Sequence, residues 1–300
     1  MTLFQGFEER LLACGRGRVF ARVGGSGPPL LLLHGYPETH LMWHGAAPLL
    51  ASRGFTVVVA DLPGYGASLR PEPADDHRPH SKRAMALDLI EAMASLGFDH
   101  FAVAGHDRGG RVAYRMAIDH AATVTALAVL DIVPTAEVWN RTNASSAVGY
   151  WHWGFLAQPA PLPERLILGD PEAWFDFHVR RMGIGNQPER YPDEVVEAYR
   201  RQLLDPGAVE GMCEDYRAGA TIDRELDEDD LSDRRQIACP TLALWGTRGA
   251  LPVFYDDVPA VWREWAPGVC GRGVEASHFL VEDAPQEVAG ELADFFAADV

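Results

Sequence analysis

The sequence predicts an α/β fold: a mostly parallel central sheet, helices on both of its faces, and a helical cap inserted between two strands. Three observations predict it. Continuous apolar runs ("PLLLLHG", "TVVVADLPG", "HFAVAGH", "VTALAVLD", "PTLALWG") recur along the chain, as strands buried on both faces of a parallel sheet require. Helix-period segments lie between them, and this alternation is the mark of an α/β sheet. Between about Pro134 and Arg235 the alternation stops, in a stretch rich in Trp, Tyr, Pro and Arg without strand-like runs.

Taken in order, "RLLACGRGRVFARV" reads as two short strands around a Gly-rich turn. The first two apolar runs follow. "HSKRAMALDLIEAMASLG" is a helix leading into "HFAVAGH", and "GGRVAYRMAIDHA" is the helix after it. "VTALAVLD" closes the first half of the sheet at Asp131. "PDEVVEAYRRQLL" is a helix within the interruption. The sheet resumes at Cys239-Pro240, and "PQEVAGELADFFA" closes the chain as a helix. The expected organisation is a core of residues 1–134 and 236–300 with a cap of residues 135–235. Caps sit over active sites and supply substrate contacts.

The net charge of −17 argues against nucleic acid or an anionic membrane as partners. An anionic substrate would need local positive charge. Cys14, Cys213, Cys239 and Cys270 are scattered without CxxC spacing, which fits reduced thiols in a cytoplasm. "MTLFQGFEER" lacks the apolar stretch of a signal peptide, and no apolar run approaches membrane-spanning length. No metal or organic cofactor is called for.

The chemistry centres on "GHDRGGRVAYR". Its G-x-D-x-G spacing is that of a nucleophile elbow, with Asp107 where a serine is usual. Gly105 and Gly109 permit the tight turn, and an aspartate capping a helix would need neither. His278, in "VEASHFLVEDAP", falls after the last strand, where the base of a triad arrives in chain order. The acid is placed less usually. The loop after "PTLALWG" carries no carboxylate until Asp256, whereas "LAVLDIVP" ends at Asp131. Asp131 is therefore assigned to orient His278. In "LLLHGYPE", the backbone N–H of Tyr36, with that of Arg108, would form an oxyanion hole. His34 reads as structural, and Arg115 likewise.

A serine attacking saturated carbon would form an ether and stop. An aspartate forms an alkyl ester, which water activated by His278 can open. An aspartate elbow thus implies displacement at sp³ carbon, with alkyl halides and epoxides as the two natural substrate classes. Arg108 adjoins Asp107, and Arg111 lies one helical turn on. Together they could hold a carboxylate by charge-assisted hydrogen bonds.

These motifs resemble the α/β-hydrolase superfamily. "HGYPETHLMW", "ADLPGYGAS" and "GHDRGG" are similar to the branch that holds epoxide hydrolases. "GHDRGGR", "LDIVPT", "YWHWGFLAQPAPLPE" and "DYRAGATID" resemble the haloacetate (fluoroacetate) dehalogenases. The resemblance covers almost the whole chain. It implies hydrolysis of short 2-haloacids by the triad Asp107, Asp131 and His278. It further implies a substrate carboxylate on Arg108 and Arg111, a halide on His152, Trp153 and Tyr216, and a homodimer. Imidazole N–H, indole N–H and phenol O–H are suitable donors to a departing halide, although aromatic packing alone is a common use of such a cluster. A second cap tryptophan of that family is replaced here by Met182, which would reshape the acid's alkyl pocket.

The alternative is an epoxide hydrolase, for which Tyr150, Tyr191, Tyr199 and Tyr216 could donate to the epoxide oxygen. Two arginines beside a neutral epoxide would be costly to bury without an anion. A non-catalytic binding protein would have no need of the full nucleophile, base and acid set.

Overall fold

A computed structural model describes residues 3–180, 183 and 188–298; Met182 lies outside the described residues. The sheet has eight strands: β1 (Glu8–Cys14), β2 (Gly17–Gly25), β3 (Pro29–Leu33), β4 (Thr56–Ala60), β5 (Phe101–His106), β6 (Val124–Leu130), β7 (Thr241–Gly246) and β8 (Cys270–Val274). Their spatial order is β1-β2-β4-β3-β5-β6-β7-β8. β1 pairs antiparallel with β2, and β2 with β4. The five pairings from β4 to β8 are parallel.

The apolar runs occupy the middle of this order. Leu30 to Leu33 of β3 and Val57 to Val59 of β4 are essentially sealed from solvent. Burial of each such side chain contributes about 1.5–3 kcal/mol. β8 is different: "CGRGV" is exposed over its first three residues, so this edge strand carries no apolar run to announce it.

β3 lies between β4 and β5, and the chain leaves it toward one side and returns on the other. A crevice opens at the carboxyl ends of strands around such a switch point. Gly105 and Gly109 let the helix Asp107–Asp119 approach it: a Cβ on Gly105 would lie 2.3 Å from the Gly109 carbonyl oxygen. A Cβ on Gly109 would lie 2.7 Å from Leu33, and the Gly109 N–H donates to the His34 carbonyl at 2.9 Å. His34 is a buried strut: its Nε2 accepts from the Leu62 N–H at 2.9 Å.

Between β6 and β7 the described residues form helices and no strand. Buried ion pairs fasten this insertion to the core. Arg115 pairs with Asp227 and Asp230, both at 2.6 Å, and Tyr114 Oη donates to Asp227 at 2.7 Å. At the other end Tyr199 Oη donates to Glu282 at 2.7 Å. Among the described residues no helix is long and apolar enough to cross a membrane.

Candidate active site

Asp107 follows β5 directly and opens the next helix with φ of 43°. That conformation is sparsely populated for a residue with a Cβ and costs on the order of 1–3 kcal/mol. The turn leaves the side chain lining a cavity of about 600 Å³. Its Oδ2 accepts the Tyr36 N–H at 3.0 Å. Burial alone would raise the carboxyl pKa. The charges of His278, Arg108, His106 and Arg111 outweigh burial and bring it down to about 2. Asp107 is therefore an anion at any ordinary pH.

Asp131 ends β6, also at positive φ, 52°. Its Oδ1 accepts the Gly246 N–H at 2.9 Å, and its Oδ2 meets His278 Nδ1 at 2.5 Å. The carboxylate thus holds the proton on Nδ1 and leaves Nε2 as the reactive nitrogen. Burial would depress the imidazole, but the hydrogen bond and charge of Asp131, then the charges of Asp107 and Glu38, raise it to about 9. At rest the site holds an imidazolium beside an ionised Asp107. His106 steadies this arrangement from behind, with Nε2 at 2.8 Å from the His278 carbonyl and Nδ1 at 3.0 Å from Glu38.

The two arginines are placed unequally. Arg111 lines the cavity. Its Nη1 donates to the Val133 carbonyl at 3.0 Å and to Thr135 at 3.2 Å, and its guanidinium lies 4.5 Å over Trp153. Arg108 is fully sealed. Its Nε and Nη2 donate to Asp215 at 2.8 and 2.9 Å, while Nη1 has no partner. Asp215 also takes a hydrogen bond from Tyr65 at 2.7 Å and an ion pair from Lys82. That Nη1 is sealed with the rest of the side chain, and Arg108 lies behind the cavity wall rather than on it.

His152, Trp153 and Tyr216 all line the cavity. They form a cluster, with Tyr216 5.9 Å from each of the other two rings. Burial pushes the His152 imidazole down to about 4 and the Tyr216 phenol well up. Both are neutral donors near neutral pH. Arg108 packs 4.1 Å from the centre of the Tyr216 ring.

Two neighbours were not foreseen from the sequence. His178 lines the cavity, 5.2 Å from His152 and 4.3 Å from Trp174. It lies on a single wide turn, Asp176–Arg180, a form often found at functional sites. Trp174 Nε1 donates to Tyr36 Oη at 2.6 Å. No periodicity or motif marks either residue. Of the four tyrosines weighed for an epoxide, Tyr150 and Tyr216 reach the cavity. Tyr191 and Tyr199 are turned to Asp283 and Glu282.

Known proteins of similar sequence and shape share this arrangement's family. The family model for the alpha/beta hydrolase fold matches residues 28–285. The chain is 44% identical over 295 residues to a fluoroacetate dehalogenase of Burkholderia sp, across 98% of this chain and 95% of that protein. It is 32% identical over 275 residues to a soluble epoxide hydrolase of Corynebacterium sp. (strain C12), across 91% of each. A solved structure of a proposed α/β hydrolase from Nostoc sp PCC 7120 superposes with a TM-score of 0.94. That protein is 44% identical over 98% of this chain and 99% of its own.

Proposed function

The chain belongs to the α/β-hydrolase family, and from that premise we propose that it hydrolyses the carbon–halogen bond of short 2-haloacids through an ester on Asp107. The observation that carries the reading is an ionised aspartate at the elbow with a guanidinium, Arg111, on the same cavity wall. An anionic substrate is what that cation suits, and an epoxide has no charge to offer it.

In the first step Asp107 Oδ1 attacks the carbon bearing the halogen. The carbon–oxygen bond forms as the carbon–halogen bond breaks, and the electron pair leaves on the halide. Arg111 holds the substrate carboxylate, with the charge of Arg108 behind it, and this orients the carbon for in-line attack. His152, Trp153 and Tyr216 receive the halide, and the helical insertion acts as the cap that carries them.

In the second step water gives a proton to His278 Nε2 while its oxygen adds to the Asp107 carboxyl carbon. The oxyanion forms on Oδ2, the atom already bonded to the Tyr36 N–H; the Arg108 N–H is the proposed second donor. Collapse breaks the bond from the carboxyl carbon to Oδ1. The departing alkoxide takes the proton from His278. A haloacid and water become a 2-hydroxy acid, a halide and a proton. Ester formation removes the Asp107 charge that helps to hold His278 protonated. The imidazolium therefore gives its Nε2 proton to solvent and becomes a base only once there is an ester to open. It is reprotonated at the end by the Asp107 carboxyl group that the collapse leaves.

Halide release from bromoacetate, bromoacetamide and styrene oxide opening, run side by side, test this reading. Bromoacetate is the expected substrate, and the amide, lacking the charge, is expected to lose at least 100-fold in kcat/KM, by order of magnitude for a charge-assisted pair. Equal turnover of acid and amide would remove the role of the arginines. Ring opening without halide release would favour the epoxide reading.

The donor cluster has its own test. Fluoride concentrates charge on the smallest ion and gains most from several short hydrogen bonds. His152→Ala, Trp153→Phe and Tyr216→Phe are each expected to cost on the order of 10²–10³ in kcat/KM for fluoroacetate. The loss for bromoacetate should be smaller, because bromide leaves with less help. Equal losses for both acids would mean that these rings only pack the cap. The exposed Trp151, Leu162 and Leu166 of the insertion support the homodimer implied by the resemblance, which sedimentation would test.

A further inference from the structure

We infer that the site takes 2-haloacids bearing a bulky apolar substituent on the halogen-bearing carbon, and that the loop after β7 provides the room. This rests on the haloacid reading above and narrows it to a substrate class.

Volume is the first observation. The cavity holds about 600 Å³. A haloacetate has about five heavy atoms and occupies on the order of 100–150 Å³, taking roughly 30 Å³ per water-sized unit as a ceiling. The cavity is several times larger and falls within the span of about 300–1,000 Å³ typical of sites for much larger ligands.

At the reacting end the wall is tightly packed: Arg111 lies 4.5 Å over Trp153, and behind the wall Arg108 lies 4.1 Å from the centre of the Tyr216 ring. Ile132, Val133, Val138, Ala250, Leu251 and Phe279 give the rest of the wall an apolar part, beside the polar Ser277 and Asp283. Of the apolar residues, all but Ala250 are buried against the core and present only a small face. The cation beyond them, Arg248, is occupied by Glu275 at 2.7 Å.

The placement of the triad acid explains the room. Asp131 orients His278 from the end of β6, so the loop after β7 has no catalytic carboxylate to carry. It runs instead through Gly249 and Ala250 into the short helix Leu251–Phe254. A Cβ on Gly249 would stand 3.3 Å from Asp131 Oδ2, so the smallest side chain passes the acid. Ala250 and Leu251 follow it as cavity wall. A loop bearing the acid would fill this space with a carboxylate and its hydrogen-bonding partners.

In-line attack fixes the remaining geometry. The halide departs opposite Asp107, and the carboxylate is held toward Arg111. Of the two substituents left on the carbon, one is hydrogen in a haloacetate, and its place faces the apolar wall in a larger acid.

Bromoacetate and 2-bromohexanoate share a leaving group and differ in that substituent alone. The wild-type protein is expected to release bromide from both. Ala250→Phe adds bulk to the part of the wall formed by the loop after β7. It should lower kcat/KM for 2-bromohexanoate at least tenfold while changing that for bromoacetate by less than about threefold, which also shows that the variant folds. Leu251→Ala should shift the ratio the other way. Turnover of bromoacetate without 2-bromohexanoate in the wild type would overturn the inference and leave the haloacid reading standing. So would an equal loss on both acids in Ala250→Phe. Turnover of neither acid would remove the reading and the inference together.

Discussion

Replacing His278 by Asn is expected to give a protein that releases about one halide per site and then stops. The nucleophile is untouched, so Asp107 still displaces the halide. The ester then persists, because the water has lost its base. A missing general base costs on the order of 10²–10⁴ in rate. Mass spectrometry of the stalled protein should find a carboxymethyl group, joined through the carbon that bore the halogen, on the peptide that contains Asp107. Steady turnover at the wild-type rate would place the base elsewhere. The same step sets a pH dependence. With Asp107 ionised, His278 is raised to about 9; in the ester that charge is gone and the value falls. Ester opening needs neutral imidazole, so its rate should climb with pH through the lowered value and level off above it. The displacement step needs ionised Asp107 and should hold its nucleophile down to about pH 2. Single-turnover halide release against product release, measured across pH, separates the two. A parallel fall of both steps between pH 9 and pH 6 would contradict the assignment.

Asp107→Asn is expected to abolish even the first turnover. Asn tolerates the positive φ at this position and keeps an oxygen for the Tyr36 N–H, so the fold should survive. The amide is no nucleophile for saturated carbon. The loss should be on the order of 10⁶, the scale of removing a covalent nucleophile from a hydrolytic triad. The halide burst of the His278 variant should be absent. In ¹⁸O-water the wild type should place label in the Asp107 carboxyl group during its first turnover, since the oxygen given to the product is its own. Label in the first product molecule, with none in Asp107, would mean that water attacks the substrate directly.

Much of the fold and of the site's geometry was legible in the chain because it is local. The elbow needs glycines at fixed offsets around the nucleophile, and "GHDRGG" carries them between an apolar strand and a helix. The order Asp107, Asp131, His278 follows from which strand ends lie beside the switch point, and apolar runs mark most of those ends. The terminal helix was legible to the residue, Pro285–Ala297, because proline opens it and apolar periodicity fills it. β8 was not, because an exposed edge strand is under no pressure to be apolar.

Distances across the insertion were beyond the sequence. Arg108 and Arg111 look equivalent beside Asp107, yet one is tied to Asp215, 107 positions away, and the other lines the cavity. Trp174 reaches Tyr36 across 138 positions, and His178 joins His152 by packing alone. Met182 stands in the same stretch, outside the described residues. The sequence by itself determined the strand order's raw material, the elbow and the carboxylate at its centre, since each is written in neighbouring residues and backbone preference. The tertiary structure alone decided how free each arginine is, how neutral His152 stays, and how much room remains beside Leu251. Those properties come from burial and from charges brought together by folding, and neither has a signature in a run of adjacent side chains.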